Sequence, residues 1–141
     1  MEAIRVLLVD DSPDFLESAS GFLSRHTRIH VVGCARGGEE GVRLARELTP
    51  DVVLMDWAML DLDGLQATRR IKARPPAPRV VIVTFYEEAE LRAAATDAGA
   101  DAVVGKSQFT DDVISVIETL GLWRQIEPRS VSEAGGGEVP S

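Results

Sequence analysis

Residues 51–64 read DVVLMDWAMLDLDG, and the fold can be worked out from this stretch. Its first part, Asp51–Met55, is a nearly continuous apolar run, as expected for a strand covered on both faces of a parallel sheet. Asp56 follows directly, and a loop with Asp61 and Asp63 comes next, where both are interpreted as turn-forming and helix-capping residues. The stretch predicts a buried strand that carries Asp56 to one edge of a sheet.

Three further apolar runs are followed by polar residues in the same way. These are Ile4–Val9 followed by Asp10 and Asp11, Val80–Val83 followed by Thr84, and Ala102–Val104 with Lys106 just beyond it. Because the carboxyl ends of parallel strands meet at one edge, we expect three carboxylates, a hydroxyl and an ammonium in one pocket. Carboxylates this close repel one another, so the pattern indicates a divalent cation beside a carboxylate that can be chemically modified. That is the chemistry of an aspartate that is phosphorylated.

Hydrophobic periodicity divides the chain into alternating strands and helices. The predicted strands are Ile4–Val9, Ile29–Cys34, Asp51–Met55, Val80–Val83 and Ala102–Val104. The predicted helices lie at about Ser12–His26, Gly41–Leu48, Leu65–Ala73, Glu87–Ala98 and Phe109–Leu120, and Gly99 and Gly121 end the last two. Strands that alternate with helices in this way require right-handed crossovers, which predicts a doubly wound α/β fold with a five-stranded parallel sheet.

The length and the end of the sequence predict one domain and a tail. The chain has 141 residues, which suits a single core, and we assign residues 1–122 to it. From Trp123 to Ser141 there is no apolar period, and Gly135-Gly136-Gly137 lies in this part. Residues 123–141 are therefore predicted to be a flexible tail or the start of a linker.

The composition argues against several classes of function. A net charge of −8 disfavours direct binding of nucleic acid or of an anionic membrane, because both are negatively charged. No apolar stretch is long enough to span a membrane, and the N-terminus lacks a signal-peptide pattern, so we expect a cytoplasmic protein. The single cysteine, Cys34, cannot form an internal disulfide and is interpreted as a small buried side chain late in a strand.

With these motifs, residues 3–121 resemble the receiver domain of response regulators in two-component signalling. The matching stretches are the acid pair Asp10-Asp11, the phosphoacceptor-like loop Asp56–Gly64, the strand end Val81–Thr84 and the segment Gly99–Lys106. In the loop, Leu60 stands where the family usually has proline. The resemblance implies the flavodoxin-like strand order 2-1-3-4-5 and Mg²⁺ as the cofactor.

The resemblance also assigns a role to each acid of the expected pocket. Asp11, Asp56 and the main-chain carbonyl of Ala58 are the implied ligands of Mg²⁺, and Asp10 is implied to act through a bound water. Asp56 is the implied nucleophile, which takes a phosphoryl group from the phosphohistidine of a sensor histidine kinase or a phosphotransfer protein.

The resemblance further implies how the modification is read. Lys106 would pair with one phosphoryl oxygen and Thr84 would hydrogen-bond another, which carries the change to the surface. The family binds an effector or a second copy through the face that corresponds here to Glu87–Ala98, Ala102–Val104 and Phe109–Leu120. Such a domain phosphorylates and dephosphorylates itself and is not a turnover enzyme.

Each of these residues also has a plainer interpretation. Asp10 could be an acidic strand end and Asp11 the N-cap of the next helix. Thr84 could be an ordinary β-former, and Lys106 could be a solvated lysine in a loop. The occurrence of the acid pair together with Asp56 favours the metal site over these readings.

Several positions depart from the family pattern. Val103 replaces the aromatic residue whose ring turns inward on activation, so the usual rotamer switch is not available. Phe85 stands where a small residue is usual, Tyr86 follows it, and their bulk is expected to narrow access to the acceptor. Ala58 offers no side chain to orient an attacking water, which predicts an unusual lifetime of the phosphoryl group. Ser107 follows the lysine where a cis proline is usual.

The favoured function is a phosphoacceptor switch that changes partner binding or dimerisation. Two alternatives stay open from the sequence. Val103 and Phe85 would suit a receiver-like interaction or scaffold domain that works without phosphorylation. The tail would suit a regulatory fragment of a helix-turn-helix transcription factor.

Overall fold

A computed structural model describes residues 3–85 and 89–126 of the chain. The strands are β1 (Ile4–Val9), β2 (Ile29–Ala35), β3 (Val52–Asp56), β4 (Arg79–Thr84) and β5 (Ala102–Gly105). The helices are α1 (Pro13–Ser24), α2 (Gly38–Leu48), α3 (Gly64–Lys72), α4 (Ala89–Ala98) and α5 (Phe109–Ile126), with a short 3₁₀ turn, Lys106–Gln108, before α5. Neighbouring strands are parallel in the order β2-β1-β3-β4-β5, which confirms the predicted doubly wound α/β fold. Among the described residues, no helix is both long and apolar enough to cross a membrane.

The core forms two layers, one on each face of the sheet. In β1, Val6 and Leu8 belong to the layer that faces α1 and α5. Leu7 and Val9 belong to the layer that faces α2, α3 and α4. Because both faces of the sheet are covered, polar side chains can gather only at the ends of the strands.

The start of α1 differs in detail from the prediction of a helix at Ser12–His26. The helix begins at Pro13, and Ser12 is its N-cap, with its side-chain oxygen accepting a hydrogen bond from the N–H of Phe15 at 3.2 Å. Proline suits the first helical position because it has no N–H to satisfy. The interpretation of Asp11 as the N-cap is therefore wrong.

The prediction that the last helix ends at Gly121 is wrong, because α5 continues to Ile126. A Cβ atom at Gly121 would lie 2.5 Å from Cγ2 of Ile4 in β1. The glycine therefore allows α5 to approach the sheet closely and does not end the helix. The first residues of the predicted tail, 123–126, are helical.

The other predicted boundary glycine, Gly99, does end α4, with a φ of 103° that favours glycine. The predicted start of this helix, Glu87, lies outside the described residues. Residues 127–141 of the predicted tail also lie outside them. The domain boundary after residue 122 stays a prediction.

Cys34 is exposed, not buried as predicted. It lies in β2, which is an edge strand of the sheet. Every residue of the central strand β3 is buried, whereas in β2 only the two end residues, Ile29 and Ala35, are buried. The prediction was wrong because it gave β2 the environment of a central strand.

Asp101, just before β5, joins α3 and β4 to β5 through its side chain. Its carboxylate accepts hydrogen bonds from Nζ of Lys72 at 2.8 Å, Nη1 of Arg79 at 3.2 Å and the N–H of Val80 at 2.8 Å. We expect Asp101→Ala to lower the free energy of unfolding by about 2–3 kcal/mol, because two partly buried cations lose a shared anion. Urea denaturation measures the loss. Asp97→Ala, at an exposed position of α4, is the matched control. Equal urea midpoints for the two variants would contradict the prediction.

Candidate functional site

The carboxyl ends of four strands bring the predicted polar residues to one place. Asp10 follows β1, Asp56 ends β3, Thr84 ends β4 and Lys106 follows β5. A surface pocket of about 250 Å³ lies there. Its lining includes all the site residues named from the sequence, Asp10, Asp11, Asp56, Ala58, Thr84 and Lys106, together with Ser12, Trp57 and Phe85. The fold therefore assembles the whole predicted set.

Lys106 is paired with two of the carboxylates. Its Nζ lies 2.8 Å from Oδ2 of Asp10 and 3.3 Å from Oδ1 of Asp56. The other oxygen of Asp10, Oδ1, accepts a hydrogen bond from the N–H of Ser12 at 2.9 Å. Only 10% of the Lys106 side chain is exposed, so its interpretation as a solvated lysine is wrong.

The three acids form a cluster that can bind a metal ion. One carboxylate oxygen each from Asp10, Asp11 and Asp56 lies within 4.8 Å of the others. Ligands of an octahedral Mg²⁺ are about 3 Å apart when adjacent and about 4.2 Å apart when opposite, so the three acids would have to move closer together if all of them bound the ion directly. Asp11 is exposed at the mouth of the site, whereas Asp10 and Asp56 are buried. The donors are all hard oxygens, which fits Mg²⁺ better than a soft metal.

The pKa values of Asp56 and Lys106 are both raised, but for different reasons. The pKa of Asp56 rises from 3.8 to about 6, mainly because the carboxylate is buried and secondly because Asp10 is near, while Lys106 opposes the shift. Burial by itself would lower the pKa of Lys106. The hydrogen bond with Asp10 and the charges of Asp56 and Asp10 outweigh that effect, so the pKa of Lys106 is raised. Without a cation, an ionised Asp56 is therefore costly to keep in the folded site.

This raised pKa makes stability depend on pH. Between about pH 4 and pH 6 the folded state binds the Asp56 proton more tightly than the unfolded state, so the contribution of this group falls as pH rises. In the absence of Mg²⁺, we expect Asp56→Asn to raise the free energy of unfolding by about 2 kcal/mol at pH 7.5, and to change it little at pH 4. Urea denaturation of both proteins in a chelator, at the two pH values, measures the difference. The same difference at both pH values would contradict the prediction.

The loop after Asp56 is anchored by two helix caps. Asp63 caps α3, its Oδ1 accepting the N–H of Gln66 at 2.9 Å. Asp61 caps α2, accepting the N–H groups of Gly38 at 3.0 Å and Glu39 at 3.1 Å, and these bonds lower the pKa of Asp61. Both residues cap helices as interpreted from the sequence, but the helix that Asp61 caps precedes it by more than twenty residues. The link from this loop to α2 has no local sequence signal.

Sequence reasoning missed Phe15 as a residue of the site. The centroid of its ring lies 4.5 Å from Nζ of Lys106. The spacing of apolar residues in α1 predicts only that Phe15 faces the sheet. Its contact with the lysine depends on how α1 lies beside the turn after β5, which spacing does not reveal.

The positions that depart from the family pattern have the following surroundings. Phe85 is 70% exposed, and its ring centroid lies 5.3 Å from Nζ of Lys106. Val103 is half-buried and packs against the core layer that faces α2, α3 and α4. The peptide bond between Lys106 and Ser107 is not cis. Tyr86 lies outside the described residues.

Known proteins share both the sequence pattern and the fold. A family model, the response regulator receiver domain, matches residues 6–118. A protein-glutamate methylesterase/protein-glutamine glutaminase of Methanospirillum hungatei is 44% identical over 73% of this chain and 30% of its own length. The transcriptional regulatory protein LiaR of Bacillus subtilis is 34% identical over 94% of this chain and 62% of its own. The signal receiver domain of NarL from Mycobacterium tuberculosis superposes with a TM-score of 0.82, at 26% identity, over 86% of this chain and 98% of that one.

The chain spans only 30% and 62% of the lengths of those two relatives, so the match concerns their receiver-like part. What the rest of each relative does is a property of that protein. The family model, by contrast, covers most of the present chain and the carboxyl end of every strand that forms the pocket. With the acid cluster and the lysine at the ends of those strands, the chain belongs to the response regulator receiver domain family.

Proposed function

We propose that this domain accepts a phosphoryl group on Asp56, with Mg²⁺ bound by the neighbouring acids, and thereby changes its binding to a partner or to itself. The observation that carries the proposal is the position of the Asp56 carboxylate, 3.3 Å from the ammonium of Lys106 and within the three-acid cluster. Structural salt bridges would explain the lysine and its two partners, Asp10 and Asp56. They would not explain a third carboxylate at the mouth of the same pocket.

The reaction follows from these groups. An oxygen of Asp56 attacks phosphorus, the bond from phosphorus to the histidine nitrogen breaks, and the nitrogen leaves with the electron pair. Lys106 is already at the carboxylate and keeps its charge, so it can pair with a phosphoryl oxygen as that group arrives. Thr84, buried at the end of β4, is the proposed second partner of the phosphoryl group.

Asp11, Asp56 and the main-chain carbonyl of Ala58 are the proposed ligands of Mg²⁺, with Asp10 acting through a water. When bound, the ion would neutralise charge on the transferred group and favour the ionised form of Asp56. The fit of the site rests on the three close carboxylates and on the raised pKa of Asp56, which a cation would lower.

The proposed donors are a sensor histidine kinase or a phosphotransfer protein, and the proposed output face is α4, β5 and α5. We infer that the domain is an acceptor that modifies itself and not a turnover enzyme, and that it acts in the cytoplasm. Its net charge of −8 supports an output without direct contact to nucleic acid or membrane. A DNA-binding effector is one form the output could take, because the relative LiaR is a transcriptional regulatory protein.

Intact-mass analysis with acetyl phosphate as a small donor tests the proposal. The native chain should gain one phosphoryl group in Mg²⁺ and none in a chelator. Trp57 lines the pocket, so we expect a change in tryptophan fluorescence to report whether Mg²⁺ binds. If Mg²⁺ binds and no mass is gained with excess donor, the proposal fails and a domain that works without phosphorylation takes its place.

A further inference from the structure

Lys106 has two aromatic neighbours besides its two carboxylates. The ring centroids of Phe15 and Phe85 lie 4.5 Å and 5.3 Å from its Nζ, both within the range of cation–π attraction. The ammonium therefore lies beside two anions and two rings, and only 10% of the lysine side chain is exposed.

The two rings differ in how firmly they are held. Phe15 is half-buried and makes an edge contact with Phe109 at 5.2 Å, so the core holds it in place. Phe85 is 70% exposed and directly follows Thr84 at the end of β4. A single exposed phenylalanine is common on protein surfaces, but this one lines the pocket of Asp56 and faces its lysine.

We propose that Phe85 is a positioning residue for phosphoryl transfer, holding the Lys106 ammonium at Asp56 with the face of its ring. The inference rests on the proposed function, because it assigns a role within that reaction. It also reverses the expectation that the bulk of Phe85 only obstructs the site.

The chemistry of a ring differs from that of a carboxylate. Asp10 holds Lys106 through an ion pair, and its negative charge competes with that of an incoming phosphoryl group for the ammonium. A ring attracts the ammonium without neutralising it and keeps water away from one side. In that drier surrounding the attraction between Lys106 and the phosphoryl group is screened less, which favours the transition state and the product.

A set of variants separates the ring from its bulk. Phe85→Leu keeps an apolar side chain without a π face, and Phe85→Trp keeps the face. With acetyl phosphate and saturating Mg²⁺, we expect Phe85→Leu to be phosphorylated about two- to fivefold more slowly than the native chain, and Phe85→Trp to match it. Equal phosphorylation rates for Phe85→Leu and the native chain would mean that the ring has no role in the reaction, and a faster rate for Phe85→Leu would mean that the ring hinders access of the donor. Either result would overturn the proposal.

A double-mutant cycle tests whether the effect passes through the lysine. In a Lys106→Met background, the change from Phe85 to leucine should alter the rate by less than about twofold. An undiminished effect in that background would show that Phe85 acts without Lys106, and the proposal would be overturned.

A readout without phosphorylation keeps the two proposals distinguishable. The ε-methylene signals of Lys106, identified by their loss in Lys106→Met, should be shifted upfield by the rings in the native NMR spectrum. They should move toward ordinary lysine positions in Phe85→Leu, and unmoved signals would overturn the contact itself. A native chain that shows the shift but gains no phosphoryl group would contradict the proposed function and leave only the contact established.

Discussion

Asp56→Asn is expected to gain no phosphoryl group from acetyl phosphate and Mg²⁺ under conditions in which the native chain gains one. Asparagine has nearly the shape of aspartate, so the fold and the pocket are retained. Its amide lacks the anionic oxygen that attacks phosphorus, and it is a poor ligand for Mg²⁺ compared with a carboxylate. Intact-mass analysis of the two proteins side by side measures the effect, which should be complete.

Asp63→Asn is the matched control, because it makes the same chemical change in the same loop. Asparagine is as good an N-cap as aspartate, so the cap on α3 should persist and the phosphoryl gain should equal that of the native chain. A full gain in Asp56→Asn would show that another carboxylate is the acceptor. Asp10 and Asp11 would then be substituted next, since both line the same pocket.

The sequence predicts that the candidate residues gather in one place, because they lie at the ends of strands. Each apolar run marks a buried strand, and the residue after the run must lie at the sheet edge. Parallel pairing then places Asp56 beside Val83 in register and Thr84 beside Gly105, without any further information about loops. Local patterns therefore suffice to gather the acids, the threonine and the lysine.

Contacts between elements that are distant in sequence could not be predicted in this way. The cap that Asp61 provides to α2 depends on where the loop after β3 passes that helix. Gly121 has the sequence signal of a helix end, but the structure shows that a glycine is needed there because α5 lies close to Ile4. Cys34 is exposed because β2 is at the edge of the sheet. An apolar run by itself does not predict which position its strand takes in the sheet.

Gly64→Ala is expected to destabilise the domain strongly and to disturb the acceptor. A Cβ atom there would overlap the main-chain carbonyl oxygen of Asp56 and lie 3.1 Å from Cα of Trp57. The N–H of Gly64 also donates to the carbonyl oxygen of Trp57 at 2.8 Å, which closes the loop that follows the acceptor. Because backbone cannot yield as a flexible side chain does, we expect the free energy of unfolding to fall by about 3 kcal/mol.

Gly21→Ala separates this clash from the general effect of replacing glycine in a helix. Nothing lies within 4 Å of a Cβ atom at Gly21, so alanine there should stabilise α1 by about 0.5–1 kcal/mol. Urea denaturation should therefore move the midpoints of the two variants in opposite directions. If the urea midpoints of both variants rise, the main chain after Asp56 can shift to accept a side chain at position 64. In that case the position of Asp56 would depend on its ion pair with Lys106 more than on the close packing of its own loop.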